Sequence, residues 1–223
     1  MIDLYFHHTP NPRKVVLLLE ELGLPYRLVP VDTFKGEQHQ PAFRAINPNG
    51  KVPALVDGEA VLFDSSAILL YLAEREQRLL GPATMRPSLL SWLMFVASGV
   101  GPYSGQAVHF SRVHTESAYA TNRYRREVER HYTVLDQRLQ QSAFIAGPEY
   151  SIVDISAWGW LMMADFILGQ EQALAAWPAL QAWFAKVDAR PAAVKARAAG
   201  SELRFKTEFD AETMRALFPQ NVS

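Results

Sequence analysis

Three short stretches carry residue types whose spacing could do chemistry. The first is Asn49-Gly50-Lys51-Val52-Pro53-Ala54-Leu55, a turn that runs through Val-Pro into a strand. Proline cannot donate to a strand ladder, so it sits at a strand start, often as a cis turn. A cis proline there leaves the Val52 N–H and C=O free to hold an extended peptide by β-like pairing. The same pattern also fits a plain loop ahead of a strand. The second stretch is Asp64-Ser65-Ser66 at the head of an apolar helix. The N–H groups and dipole of a helix N-terminus favour a carboxylate or phosphate, and an acid beside it accepts an ammonium. Asp64 and Ser65 together therefore fit the head of an α-amino acid, with its carboxylate on Ser65 and its amine near Asp64. An ordinary helix cap reads the same way. The third stretch, Ser151-Ile152-Val153-Asp154, is a capping box with the acid in the Asp form, and it is a structural device.

The elements that must position these stretches follow from periodicity. Ile2, Leu4 and Phe6 alternate as a half-buried strand. Val15 to Leu22 has helical apolar spacing, with Asn11 as the expected N-cap, Pro12 in the first helical position and Gly23 as the stop. Tyr26 to Val31 reads as a second strand. Ala54 to Asp57 and Val61 to Phe63 read as a hairpin turning at Asp57-Gly58, followed by a helix over Ser65 to Arg75. A strand-helix-strand unit followed by a hairpin predicts a small mixed sheet with helices on both sides, α/β in class. After Gly81-Pro82 no strand pattern recurs. Helices are expected at about 87 to 110, 117 to 141, 152 to 167, 178 to 189 and 191 to 199. The reading is a first domain over 1–80, a linker over 81–86, an all-α domain over 87–200 and a tail over 201–223, a short helix or strap packed back on the body.

Composition narrows the chemistry. The 223 residues carry a formal charge of −1, which argues against a nucleic-acid binder. Cysteine is absent, so no disulfide framework, thiolate metal site or protein-borne thiol nucleophile exists; any thiol must come from outside. The six histidines show no metal-ligand spacing, and the adjacent His7 and His8 fall on opposite faces of an extended segment. No charged residue lies between Arg86 and Arg112, but Ser98-Gly99, Gly101-Pro102 and Ser104-Gly105 interrupt that stretch. A buried core helix is expected there and not a membrane span. No targeting pattern opens the sequence, and a cytoplasmic location is expected.

The combination Leu4-Tyr5-Phe6, Thr9-Pro10-Asn11, Asn49 to Leu55 and Phe63 to Leu72, with Tyr150 to Ile155 later, resembles a glutathione transferase over about residues 1 to 200. Thr9-Pro10-Asn11, Lys35-Gly36-Glu37-Gln38, Gly101-Pro102, Gly105-Gln106 before His109-Phe110, and Arg123-Tyr124 are similar to the bacterial Nu class, glutathione-dependent disulfide-bond reductases. The resemblance implies a thioredoxin-like domain followed by a helical domain. It implies that Val52-Pro53 pairs with the cysteinyl backbone of glutathione and that Asp64 and Ser65 hold its γ-glutamyl head. Gln38 and Lys51 would lie near the glycine end, and Arg123 would reach over from the helical domain. Thr9 and Asn11, ahead of the first helix, would be catalytic at the glutathione sulfur, the helix N-terminus favouring the thiolate. Tyr5, by contrast, is read as a packed strand residue, and Trp158, Trp160, Trp177 and Trp183 as core. The expected partners are glutathione, reduced or oxidised, a small disulfide or electrophile, and a second copy of the chain in a homodimer. The alternatives are conjugation to small apolar electrophiles, and a non-catalytic binding protein of the same fold.

Overall fold

The computed structural model describes residues 1–221. The sheet has four strands in the order β2-β1-β3-β4: β1 (Ile2–Phe6), β2 (Tyr26–Pro30), β3 (Ala54–Asp57) and β4 (Ala60–Phe63). β1 runs parallel to β2, with Leu4 opposite Leu28, and antiparallel to β3, with Leu4 opposite Leu55. The hairpin turns at Gly58 and Glu59, one residue later than expected, because Asp57 still pairs with Ala60. Ile2, Leu4 and Phe6 point into the core, which is what the alternation of β1 requires.

Helix α1 (Pro10–Leu22) crosses from β1 to β2 and is buried on nearly every side, Lys14 to Leu19 being fully covered. Its N-cap is Thr9, not Asn11 as expected. Pro10 takes the first helical position, where a missing N–H costs nothing, and Pro12 is accommodated within the same turn. Gly23 ends the helix at φ 71°. Short α2 (Pro41–Ile46) leads to the Val52-Pro53 bond, which is cis. α3 (Ser65–Glu76) packs against α1.

The remainder of the described chain is helical. α4 (Arg86–Phe95), α5 (Gly101–Val108) and the two five-residue π-wound stretches Val96–Val100 and His109–Val113 form one run, longer than the expected 87 to 110. Gly99 lies in the first of these stretches, where an added Cβ would collide with the buried His131 ring. α6 (Ala118–Leu139) carries His131. The helix expected over 152 to 167 is two, α7 (Ile152–Leu161) and α8 (Ala164–Leu168), broken at Met162-Met163. α9 (Pro178–Asp188) and α10 (Pro191–Ala198) complete the bundle. The capping box at the head of α7 is formed, and Asp154 accepts from Ser151, Ile145 and Trp183 in the core. The tail returns over the sheet and ends in α11 (Ala211–Leu217); Lys206 N–H donates to Asp32 at 2.8 Å.

Candidate active site

Thr9 sits where β1 hands over to α1, in extended backbone at φ −103°. As an N-cap threonine it could bond the first-turn amides, yet its hydroxyl makes no such cap bond and has no hydrogen-bond partner among the described residues. Pro10 and Pro12 have no N–H, so Asn11 supplies the free amide of that turn. The Thr9 N–H is tied to His7 O at 2.7 Å, which fixes the turn.

Two cavities meet at Thr9. The first, of about 740 Å³, is lined by Thr9, Asn11, Gln38, Lys51 and Val52 among others. Arg44, His39 and Asn49 also face it, and no carboxylate among the described residues does, so the cavity favours an anionic guest. Among the described residues neither backbone group of Val52 has a hydrogen-bond partner. The second cavity, of about 580 Å³, is apolar. Pro10, Phe34, Val108, Trp160, Met163 and Phe166 supply its walls, and Arg112 is the charged side chain on its rim. Trp160, expected in the core, is therefore a cavity wall. The tail closes both spaces, with Thr207 and Phe209 at the apolar cavity and Leu217, Pro219 and Gln220 at the polar one.

The structure thus brings together Thr9, Asn11, Gln38, Lys51 and Val52. Asp64 and Ser65 stand behind Asn11, not in the lining: Ser65 Oγ donates to Asn11 Oδ1 at 3.4 Å. Asp64, at φ 69°, uses Oδ1 to cap α3 through the Ser66 and Ala67 amides. Pro53 orients the Val52 segment without facing the cavity. Arg123 is remote from this group. Its guanidinium pairs with Glu127 at 3.1 Å on an exposed face of α6, and it lines neither cavity.

Gln38 is buried, and its amide donates to Thr33 O and to Ala216 O of the tail. His39 meets the same Ala216 carbonyl at 2.8 Å. Tyr5 packs its ring against Phe43, 5.6 Å between centroids, and is absent from both linings, in line with a strand residue that packs. Burial pushes the His7 pKa down to about 4, with Phe34 and Phe205 against its ring, so it stays neutral. His8 lines the apolar cavity and contacts Arg13 at 3.2 Å. Arg44, the tail residues and the whole apolar cavity carry no local sequence signal; they meet the site only through folding.

Comparison with known proteins identifies the fold. The family model of the glutathione S-transferase N-terminal domain matches residues 8–75, and that of the C-terminal domain matches residues 118–186. Disulfide-bond oxidoreductase YfcG of Escherichia coli (strain K12) is 44% identical over 201 residues, which cover 86% of this chain and 92% of that relative. The chain belongs to the glutathione S-transferase family. As a glutathione S-transferase it has the thioredoxin-like sheet domain followed by the helical domain. A family member from Pseudomonas fluorescens pf-5, crystallised with two glutathione molecules bound, superposes with a TM-score of 0.81 at 34% identity, covering 88% of this chain and 92% of that one. A glutathione transferase from Pseudomonas putida, with one glutathione disulfide per subunit, superposes with a TM-score of 0.81 at 33% identity, covering 88% and 90%.

Proposed function

We propose that this glutathione S-transferase activates the thiol of bound glutathione and reduces disulfides with two glutathione molecules. The observation that carries the reading is the Thr9 hydroxyl, which caps nothing and has no partner among the described residues, at the junction of a cationic, peptide-sized cavity and an apolar one. Glutathione lies in the first cavity, its cysteinyl backbone on Val52, its glycine end near Gln38 and Lys51, its γ-glutamyl head toward Ser65 and Asp64. Its sulfur then meets Thr9 and the α1 N-terminus, where a hydroxyl donor, the Asn11 amide and the helix dipole favour thiolate.

The reaction needs no protein cysteine. The glutathione thiolate attacks one sulfur of a disulfide held in the apolar cavity; a mixed disulfide forms and the other half leaves as a thiolate. A second glutathione thiolate attacks the glutathione sulfur of that mixed disulfide, yielding oxidised glutathione and the second substrate thiolate. The chain's share is to lower the first thiol's pKa and to hold the sulfurs in line. The names of YfcG and of the structures with two glutathiones or glutathione disulfide support this assignment. A second reading, conjugation of a small apolar electrophile, is favoured by the same apolar walls.

The Thr9-Pro10-Asn11 start supports the Nu class. The division into 1–80, 81–86, 87–200 and a tail from 201 follows the change from sheet to helices; its last two residues lie outside the described ones. A cytoplasmic location suits a reaction that draws on reduced glutathione, and among the described residues no helix is long and apolar enough to cross a membrane. A crystal structure with oxidised glutathione tests the site. Both sulfurs within van der Waals reach of Thr9 Oγ are expected, and a disulfide bound elsewhere overturns the reading.

A further inference from the structure

Lys14 lies one turn beyond Asn11 on α1 and is 2% exposed. Its Nζ donates to Ser65 Oγ at 3.2 Å and stands 5.8 Å from the Trp160 ring centroid. Ser65 in turn donates to Asn11, so a buried cation, a hydroxyl and a cavity-lining amide form one chain. The lysine stem is threaded through the α1–α7 contact: a Cβ on Gly159 would come 2.5 Å from Lys14 Cγ and 2.9 Å from Pro10 O. Packing alone would be served by leucine or methionine here. A cation buried without a close partner carries a heavy desolvation cost; among the described residues Lys14 forms no ion pair within 4 Å, and Asp64 is the carboxylate whose charge acts on it.

We propose that Lys14 is a positioning residue of the glutathione site, a buried cation whose counter-ion is the γ-glutamyl carboxylate of the ligand, reached through the Ser65 hydroxyl. This rests on the glutathione reading of the cavity and adds a residue and a proton to it. In the ligand-free protein, burial pushes the Lys14 pKa down to about 7, with Asp64 pulling it back up. The charged groups on the other elements around α1 are already engaged. Lys195 and Arg197 of α10 pair with Glu20 and Asp188, Asp3 of β1 pairs with Arg27, and Asp154 of α7 is bound at the opposite end of its helix. An arriving carboxylate favours the ammonium, so above pH 7 glutathione binding takes up a proton at Lys14.

The test is calorimetry with S-methylglutathione, which has no thiol to titrate, at pH 8 in two buffers of different ionisation enthalpy. Uptake of roughly half a proton or more per ligand is expected, because the site passes from mostly neutral to mostly charged. Lys14→Met removes most of that uptake and weakens binding about 10- to 100-fold at pH 6.5, where the wild-type lysine is charged. It also flattens the dependence of affinity on pH between 6.5 and 9, a readout that a merely structural lysine would not move. Should the variant fail to fold, proton uptake by the wild type still decides. Binding without proton uptake, or a variant with the wild-type pH profile, overturns the role of Lys14 and leaves the site reading standing. Absence of any binding overturns both.

Discussion

Thr9 and Asp64 show how one residue serves fold and chemistry at once. Thr9 starts α1 without using its hydroxyl as a cap, and among the described residues that hydroxyl has no other partner. Replacing it by alanine removes one hydrogen bond to an anion, worth about 1.5–3 kcal/mol. The expected outcome for Thr9→Ala is a bound glutathione thiol whose pKa rises by about one to two units, read from the ultraviolet absorbance of the thiolate during a pH titration. Asp64 is committed differently, because one carboxylate oxygen already caps α3. Asp64→Ala would therefore confuse a lost cap, about 1 kcal/mol, with a lost ammonium partner. Asp64→Asn keeps a capping oxygen and removes the charge. Affinity for glutathione is expected to fall about tenfold or more by calorimetry while urea unfolding stays within about 0.5 kcal/mol of wild type. A large stability loss with unchanged affinity would make Asp64 a cap alone.

Among the elements, α1 matters most, since it joins the sheet to the helical bundle through α7 and α10. Gly159 is the point of closest approach, with Lys14 and Pro10 filling the space a side chain would need. Gly159→Ala is expected to lower stability by about 1–3 kcal/mol in chemical denaturation, because backbone at Pro10 cannot yield as a flexible side chain can. β1, the hairpin, α3 and the capping box were readable because half-buried strands alternate and caps use few residue types. The start of α1 falls at Thr9 and not at Asn11: Asn11-Pro12 and Thr9-Pro10 both satisfy cap rules, and only the fold chooses between them. Nothing marks the break at Met162-Met163, which has neither glycine nor proline. The apolar cavity was not legible at all: Phe34, Trp160 and Phe209 are distant in sequence and meet only through folding. Ser65 was legible as a helix-head residue, but the Lys14 that donates to it was not, because a single lysine looks like one polar position on an amphipathic helix.

At the scale of the molecule, the edge strand β4 leaves Val61 52% and Phe63 43% exposed, and Met94 on α4 is 48% exposed. An apolar sheet edge left open invites pairing. A homodimer is expected, and sedimentation equilibrium at micromolar concentration should give twice 25.1 kDa; a stable species at 25.1 kDa would contradict it. The thiol that does the work must come from the ligand. The chain has no cysteine, and its site places a hydroxyl with no partner among the described residues between a polar cavity and an apolar one. The direct measurement compares steady-state reduction of bis(hydroxyethyl) disulfide by glutathione with conjugation of a dinitro-aryl chloride, in wild type, Thr9→Ala and Tyr5→Phe. Disulfide reduction should exceed conjugation, fall about 10- to 100-fold in Thr9→Ala and stay within about twofold in Tyr5→Phe. Dominant conjugation that Tyr5→Phe abolishes and Thr9→Ala spares would contradict it.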